Sequence, residues 1–448
     1  MPELLQTEST SSLRSKDGIT PVSKREAVSG FAFLIAFFVV YCARPEDWIG
    51  PLYYIPLAKI TAGGAMLSLL LAGKAKRKLS HLPREGYYLA GLIGVLFLSA
   101  FLSPVWRGGA FMHTVEFAKI IVIFGLVFLL VTSIERLRRL IFVQVVSMIV
   151  VTLVSMIKGW HTPRLEGVIG GIYSNANDLA FAIVLAIPFC LGFLITSKSL
   201  LGKIGWALGI LIMLPALFMT ASRAGFIDLL IAGTVCLWHF GVRGRRFYLI
   251  VATVFLGGML FLTMGNRLMK RFEAISEATE GDAAYGSYRA RKWLMVKALE
   301  GIEHYPVLGV GANNFLTYSG VWHPVHMTYL QIAVEGGIPA LILYLLVFKR
   351  GFRNLRQLRK RKDLPIDYVV FVGAIHSSLI GFAVGALFSP EAYHFFPFFS
   401  VAYTSAMIAI VAERDAEAPP EPPSDWRVRR KLTIYGSPAK RSPLTVSR

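Results

Sequence analysis

The sequence contains few charged residues and few cysteines. Asp, Glu, Lys and Arg make up 17% of its 448 residues, apolar residues make up 55%, and the mean hydropathy is +0.57. Soluble domains carry about 25% charged residues, so this composition excludes them and indicates a membrane protein. Cys42, Cys190 and Cys236 lie in or beside apolar runs without metal-ligand spacing, so neither a disulfide framework nor a zinc site is expected.

Other common signals are also missing. No Walker pattern, Rossmann fingerprint or convincing internal repeat occurs, and the polar N-terminal stretch predicts no cleavable signal peptide. Continuous apolar runs such as 120–131 exclude a β-barrel, whose strands alternate apolar and polar residues. The composition therefore predicts an all-α polytopic membrane protein.

The apolar runs predict about twelve transmembrane helices and a large outer loop. We expect an N-terminal tail at 1–28, helices one to nine within 29–265, a periplasmic loop with an amphipathic helix at 266–325, helices ten to twelve within 326–412, and a disordered tail at 413–448. The twelve predicted spans are 29–43, 51–73, 87–103, 117–133, 138–157, 173–197, 204–220, 224–240, 247–265, 326–348, 367–388 and 396–412.

The net charge of +20 follows the predicted topology. Basic segments at 74–78, 135–139, 243–246 and 349–362 fall in alternate loops, and the positive-inside rule assigns these loops to the cytoplasm. Both termini are then cytoplasmic, and the charge requires no nucleic-acid partner.

The predicted outer loop is unusually basic for its side of the membrane. An anionic ligand would explain this charge, and contact with anionic lipid is the alternative. A helix is predicted from Ser287 as its cap, with Trp293 and Arg289 on one face that rests on the membrane surface. After it, Asn313 and Asn314 offer polar contacts next to a glycine turn. The loop's basic residues are Arg267, Lys270, Arg271, Arg289, Arg291, Lys292 and Lys297.

His326 is predicted at the outer start of the tenth span, where a neutral imidazole can accept a proton. The alternative is a histidine that caps the helix or binds a lipid headgroup. A metal shared with His323 is disfavoured, because no carboxylate or cysteine lies nearby in the sequence. Glu335 falls on the opposite helix face and is not expected to orient His326.

Arg223 starts the eighth span at an outer hinge. A helix N-terminus attracts anions, and a guanidinium can bond two phosphate oxygens, although snorkelling to the headgroups is an alternative. Asp228 lies within the same span, so we expect it to be functional or paired.

These residues together resemble the O-antigen ligase and polymerase superfamily. The resemblance covers roughly residues 30–412, and one departure is Met327, where ligases commonly have Asn, Ser or Gln, while Ala340 replaces a glycine. Its motifs are Thr220-Ala-Ser-Arg-Ala-Gly225, Arg289-x-x-x-Trp293, Tyr305-Pro-Val-Leu-Gly-Val-Gly311, His326 with Glu335-Gly-Gly337, Arg44-Pro-Glu-Asp-Trp48 and Tyr173-Ser-Asn-Ala-Asn-Asp-Leu179.

The resemblance implies a metal-independent glycosyltransferase of the membrane-embedded, GT-C-like helical class, without a cofactor, in the bacterial inner membrane. Arg223 and Arg289 would bind the pyrophosphate of an undecaprenyl-pyrophosphate-linked glycan, and His326 would deprotonate the acceptor hydroxyl. Weaker substrate contacts are expected from Arg291, Lys292, Asn313, Asn314 and Arg44.

Several acceptors and one other class of function remain open from the sequence. A lipid A-core acceptor would make the protein a ligase, a second lipid-linked glycan would make it an O-antigen or exopolysaccharide polymerase, and a protein hydroxyl would make it a protein O-oligosaccharyltransferase. A lipid or solute transporter is the alternative of a different class, since twelve spans also suit transport.

Overall fold

The computed structural model describes residues 24–71, 77, 79–167, 173, 175–276, 283–321 and 323–417. Most of the two predicted tails, and the side chains of Arg267, Lys270, Arg271 and Ser287, lie outside this part. Thirteen helices of 15 residues or more are described: α1 Lys24–Ala43, α2 Leu57–Leu71, α3 Arg84–Leu102, α4 Arg107–Leu130, α5 Ile134–Gly159, α6 Ala176–Thr196, α7 Leu200–Met219, α8 Arg223–Leu237, α9 Phe247–Ser276, α10 Ala283–His304, α11 Thr328–Lys360, α12 Ile366–Gly385 and α13 Phe396–Glu417.

The structure confirms an all-α polytopic membrane protein. Ten helices, α3–α9 and α11–α13, are long and apolar enough to cross a membrane. Two shorter apolar helices, Gly30–Ala43 and Leu57–Leu69, occupy the first two predicted spans. Helix α8 continues into a π-helical turn, Trp238–Val242. Four further short helical segments are Pro45–Trp48, Gly50–Leu52, Leu79–His81 and Phe315–Ser319.

The predicted ninth span, 247–265, matches the apolar part of α9, Phe247–Asn266, and the helix continues to Ser276 because its helix-forming residues extend beyond the apolar run. The predicted start of the amphipathic helix in the large loop was wrong. Helix α10 begins at Ala283, so Ser287 lies inside the helix and is not its cap.

The loops gather at two opposite ends of the helix bundle. We call one end the site face; it comprises 44–56, 103–106, 160–167, 220–222, 305–327 and 386–395. Backbone hydrogen bonds connect these loops: the Leu165 N–H donates to the Met219 carbonyl at 3.0 Å, and the Thr328 N–H donates to the Ala386 carbonyl at 2.8 Å. The other end, the opposite face, holds Arg77 and the loops 131–133, 197–199, 243–246 and 361–365.

Helix α11 is broken one third of the way along its length. Gly337 has φ 78°, and a Cβ there would lie 2.2 Å from the Val307 carbonyl oxygen, so only glycine fits. Residues 305–311, which we call the strap, cross this break. The N–H groups of Val310 and Gly311 donate to the carbonyls of Val334 and Glu335 at 2.8 and 2.9 Å. The strap and the Glu335-Gly-Gly337 motif, which are separated in the sequence, thus pack together as one unit.

Candidate active site

A cavity of about 410 Å³ opens at the site face. Helix α4, the segment after the strap, the start of α11 and the 386–395 loop form its walls. Its lining combines hydrogen-bonding groups, the carboxylate of Glu116 and apolar side chains such as Phe117 and Phe395. This mixture suits sugar rings, which have hydroxyl groups and apolar faces. The lining includes His113, Asn313, Pro324, Gln331, Tyr393 and His394.

His326 lies between two lining residues in the sequence, Pro324 and Gln331, and its side chain is half-buried. Burial, the positive charge of Arg291 and the nearby His323 lower the pKa of His326 from 6.5 to about 4. The imidazole is therefore neutral at physiological pH and can accept a proton. The alternative role as a helix cap does not fit, because Met327 occupies the cap position of α11 and makes no side-chain cap bond.

Helix α10 brings Arg291, rather than Arg289, towards His326. Leu294 and Ala298 are buried against the bundle, and Arg291 precedes them at helical spacing on the same face. Arg289 is exposed and shares its side of the helix with Trp293, which is 46% exposed. Arg289 thus lies on the outward side of α10, as the expected membrane-facing surface requires.

Lys292 is exposed on the same outward side of α10. Arg44 pairs with Asp47, through contacts of 2.5 and 3.0 Å, and has φ 46°. The structure therefore places both residues apart from the cavity lining, although they lie on the same end of the molecule.

The two asparagines have different surroundings. The Asn313 side chain lies 3.0 Å from Nε2 of His113 and lines the cavity, where a substrate could reach it. Asn314 is buried, and its Nδ2 donates to Ser103 Oγ at 2.9 Å and to the carbonyls of Trp106 and Val310 at 3.0 Å. Asn314 thus stabilises the turn that presents Asn313.

A polar hinge positions Arg223 at the first residue of α8. Ser222 caps the helix by accepting from the Gly225 N–H at 3.2 Å, and it also donates to Oδ1 of Asn177 at 2.9 Å. Arg164 donates to the same Asn177 oxygen at 2.6 Å and to the Thr220 carbonyl at 2.8 Å. Arg223 therefore sits on a braced helix start with its side chain half-buried.

A second polar network connects the 386–395 loop to Thr328, which follows His326 by two residues in the sequence. Thr328 Oγ1 donates to the Ser389 carbonyl at 2.7 Å and accepts from the Glu391 N–H at 2.9 Å. Ser389 Oγ donates to Oε1 of Glu391 at 2.7 Å, and Nδ1 of His394 lies 2.5 Å from Oε2. This network fixes the start of α11, and with it His326, to the loop.

An ion pair in this network lies beside the cavity. Burial disfavours the Glu391 carboxylate, but His394 and hydrogen bonds from Ser389 and Asp178 overcome that cost and hold the pKa of Glu391 below its ordinary value. Burial likewise disfavours the imidazolium of His394, yet the adjacent Glu391 charge raises the pKa of His394 to about 9. His394 is therefore charged at neutral pH and lies in the cavity wall as the ion-pair partner of Glu391.

Glu335 links the strap to the cavity. Its buried carboxylate accepts from Tyr393 Oη at 2.6 Å and from the backbone of Asn313 and Phe315. Ser99 Oγ donates to the Glu335 carbonyl at 3.0 Å. Glu335 thus contacts the cavity lining rather than His326, as its position on the helix predicted.

Sequence reasoning missed Arg164, Tyr393, His394, Glu391 and His113. Only Glu391 and His394 gave a local signal, since a carboxylate and a histidine three residues apart stand between two apolar spans. The remaining contacts join segments far apart in the sequence.

Asp228 is buried against Gly381 and Gly385 of α12. Neither carboxylate oxygen has a hydrogen-bond partner within the described residues. A paired role for Asp228 therefore finds no support in this part of the chain. No cluster of three or more histidine, cysteine or acidic residues with metal-site geometry occurs among the described residues.

The fold and this site define a helical polytopic membrane protein with a cavity at one face that is lined by both polar and apolar side chains. Residues 208–345 match a family model described as O-antigen ligase, and this segment contains Arg223, Arg289 and His326. A protein of Rickettsia conorii named "Putative polysaccharide ligase" is 23% identical over 187 residues. That alignment covers 39% of this chain and 45% of the relative, so the chain spans less than half the length of the relative it matches.

These matches confirm the resemblance drawn from the motifs. The family match over residues 208–345 supports an enzyme of the O-antigen ligase type.

Proposed function

We propose that the protein transfers a glycan from undecaprenyl pyrophosphate to an acceptor hydroxyl at the site face. The observation that carries this proposal is His326: a half-buried imidazole with a pKa of about 4, beside Arg291 and next to a cavity lined by polar and aromatic side chains. A base kept neutral by neighbouring positive charge suits a reaction whose donor carries a pyrophosphate.

In the proposed step, His326 accepts the proton of the acceptor hydroxyl. The acceptor oxygen forms a bond to the anomeric carbon of the glycan, and the bond from that carbon to the pyrophosphate oxygen breaks. The lipid pyrophosphate leaves with the electron pair. Proton removal by a positioned base contributes about 10²–10⁴-fold to such a step.

Arginine side chains would stabilise the negative charge that develops on the leaving pyrophosphate. Arg223 starts a helix on a braced hinge, so its guanidinium and the helix dipole favour an anion at the same place. Arg291 adds positive charge near His326, and Arg289 would contact the donor where it emerges from the membrane surface. In this scheme fixed cationic side chains stabilise the negative charge on the leaving pyrophosphate, and we propose that transfer requires no metal.

The cavity would bind sugar rings of the donor or acceptor. Asn313, Gln331 and His113 offer donors and acceptors, and Tyr393 and Phe117 offer ring faces. These groups do not distinguish a lipid A-core acceptor from a second lipid-linked glycan or a protein hydroxyl. We propose a ligase reaction, with a polymerase and a protein O-oligosaccharyltransferase as alternatives of the same superfamily.

The proposed location is the bacterial inner membrane, with the site face in the periplasm and both termini in the cytoplasm. The basic residues of the opposite face support this orientation by the positive-inside rule.

The test is to supply purified full-length protein with an undecaprenyl-pyrophosphate-linked oligosaccharide and, separately, with lipid A-core, lipid-linked glycan and protein acceptors. Glycan transfer to one acceptor, unchanged by EDTA, is expected from wild type and lost in His326→Ala. Loss of activity on EDTA treatment and its recovery with a divalent cation would refute the metal-independent scheme. Transfer to none of the acceptors, despite measurable donor binding, would refute the proposed function.

A further inference from the structure

A second cavity, of about 690 Å³, lies at the opposite face. It is formed by the π-helical turn Trp238–Val242, the loop 243–246, the end of α11 and the start of α12. Because the two cavities open at opposite ends of the bundle, this one takes no part in the proposed transfer reaction.

The charged side chains that line this cavity are all cationic among the described residues. Six cationic residues line it and no carboxylate does, among the described residues. Arg361 is already neutralised by Asp363 and Asp415, each within 2.7 Å. The other five form no ion pair with a carboxylate in the described part of the chain. The six are Arg243, Arg246, Arg359, Lys360, Arg361 and Lys362.

One of these cations is held inward by a histidine pair. Arg359 Nη1 donates to His376 Nε2 at 3.4 Å, and His376 Nδ1 lies 3.0 Å from His239 Nε2. A guanidinium only donates, so Nε2 of His376 accepts and its Nδ1 carries the proton given to His239. Nε of Arg359 is buried without a partner in the described residues.

The fold maintains this arrangement. A π-helical turn is rare and often marks a functional site, and here it places His239 in the cavity wall. A Cβ at Gly373 would lie 3.1 Å from the Phe240 ring, so α12 packs tightly against the turn.

The rim of the cavity is apolar on the side of α12. Ile366 and Val369 line the cavity and are 59% and 50% exposed. On a helix that crosses the membrane, such side chains face lipid. The cavity thus combines a cationic interior with a lipid-facing rim, which matches a phosphate headgroup attached to acyl chains.

We propose that this cavity binds the phosphate-diester headgroup of an anionic lipid at the opposite face. Arg359 and Arg246 contact the phosphate, Arg243 and Lys362 add attraction from the exposed edge, and the acyl chains lie along Ile366 and Val369. The positive-inside rule alone explains basic loops, but it does not require cations to line a cavity between helices.

The experiment measures binding of phosphatidylglycerol, with phosphatidylcholine as the neutral counterpart, to full-length protein in a neutral detergent. The readouts are the thermal unfolding midpoint and the lipid retained through purification. Arg359→Gln should require at least about fivefold more phosphatidylglycerol for a half-maximal shift, since one basic residue contributes about that factor. The matched control is Arg356→Gln, an exposed residue one turn earlier on α11, which should bind as wild type.

If Arg359→Gln does not purify as a monodisperse protein, Arg243→Gln replaces it in the same measurement. Arg243 is exposed, so this substitution should leave folding intact. Equal weakening in the control variant, or equal stabilisation by phosphatidylcholine, would overturn the proposal. A third arm uses inorganic phosphate: if phosphate alone reproduces the shift and displaces the lipid, the cavity is a site for soluble phosphate and the lipid assignment is wrong. Because the readout is lipid binding, failure here leaves the proposed transfer reaction untouched.

Discussion

Replacing Arg291 with Gln tests how the protein keeps His326 neutral. If the charge of Arg291 helps to lower the pKa of His326, removing that charge should raise the pKa, and the acid limb of the activity profile should move with it. The geometry at His326 is otherwise retained, because glutamine preserves most of the side-chain volume.

The expected size of the shift follows from the causes of the lowered pKa. The pKa of His326 is lowered from 6.5 to about 4, with burial as the largest cause, Arg291 the second and His323 the third. Arg291 therefore accounts for less than half of the difference, so the limb should move up by about one pH unit at most. At pH 5 the neutral fraction would fall from roughly nine-tenths to about one half.

The assay is single-turnover glycan transfer between pH 4 and 8, with donor binding measured in parallel. Lys292→Gln is the matched control, since it removes one exposed cation from the same helix and should leave the limb in place. His326→Ala should lose about 10²–10⁴-fold in rate while donor binding stays nearly unchanged. An acid limb that stays fixed in Arg291→Gln would refute the electrostatic role of Arg291, and wild-type turnover in His326→Ala would remove His326 from the mechanism.

Four further expectations concern other parts of the molecule. Arg223→Ala should weaken donor use strongly and Arg223→Lys should restore only part of it, because ammonium cannot make the planar two-bond contact; equal donor binding in wild type and both variants would indicate snorkelling instead. The pKa of His394 is raised to about 9, so its ion pair stabilises the fold below pH 6.5 and this stability is lost as pH rises towards 9; thermal unfolding should show that slope, and His394→Gln should lack it. Gly337→Ala should destabilise the protein by more than about 1–2 kcal/mol, whereas Gly233→Ala, whose Cβ meets no atom within 4 Å, should unfold like wild type. Because the three native cysteines are buried, single cysteines placed in 305–327 should react with an impermeant thiol reagent added outside the cell, and protection of that segment would reverse the proposed orientation.

The helices were predictable because the apolar composition of each transmembrane segment reflects its lipid environment. An apolar run must satisfy its backbone internally in lipid, so its length and position nearly determine a helix. The break in α11 was harder to predict. Adjacent glycines at 336 and 337 permit close packing, but the positive φ of Gly337 depends on the strap, which lies about 30 residues earlier in the sequence.

The positions of two candidate site residues at helix starts were predictable from the sequence. His326 precedes α11 and Arg223 is the first residue of α8, both at the site face. The choice between Arg289 and Arg291 needed the buried face of α10, and the sequence alone favoured the face that contains Trp293. Periodicity identifies which residues share a face, but it does not say which of two apolar faces packs against the bundle.

The position of His326 depends on contacts at both ends of the helical segment that precedes the break in α11. On one side, Thr328 is bound to the 386–395 loop, and that loop supplies Tyr393 to the cavity. On the other, Glu335 accepts from Tyr393 and its carbonyl accepts from the strap. The segment from His326 to Gly337 is therefore clamped at both ends through one loop and one strap. A helix held in this way can present a half-buried base at a fixed place, which explains why the strap and the Glu335-Gly-Gly337 motif occur together with the histidine.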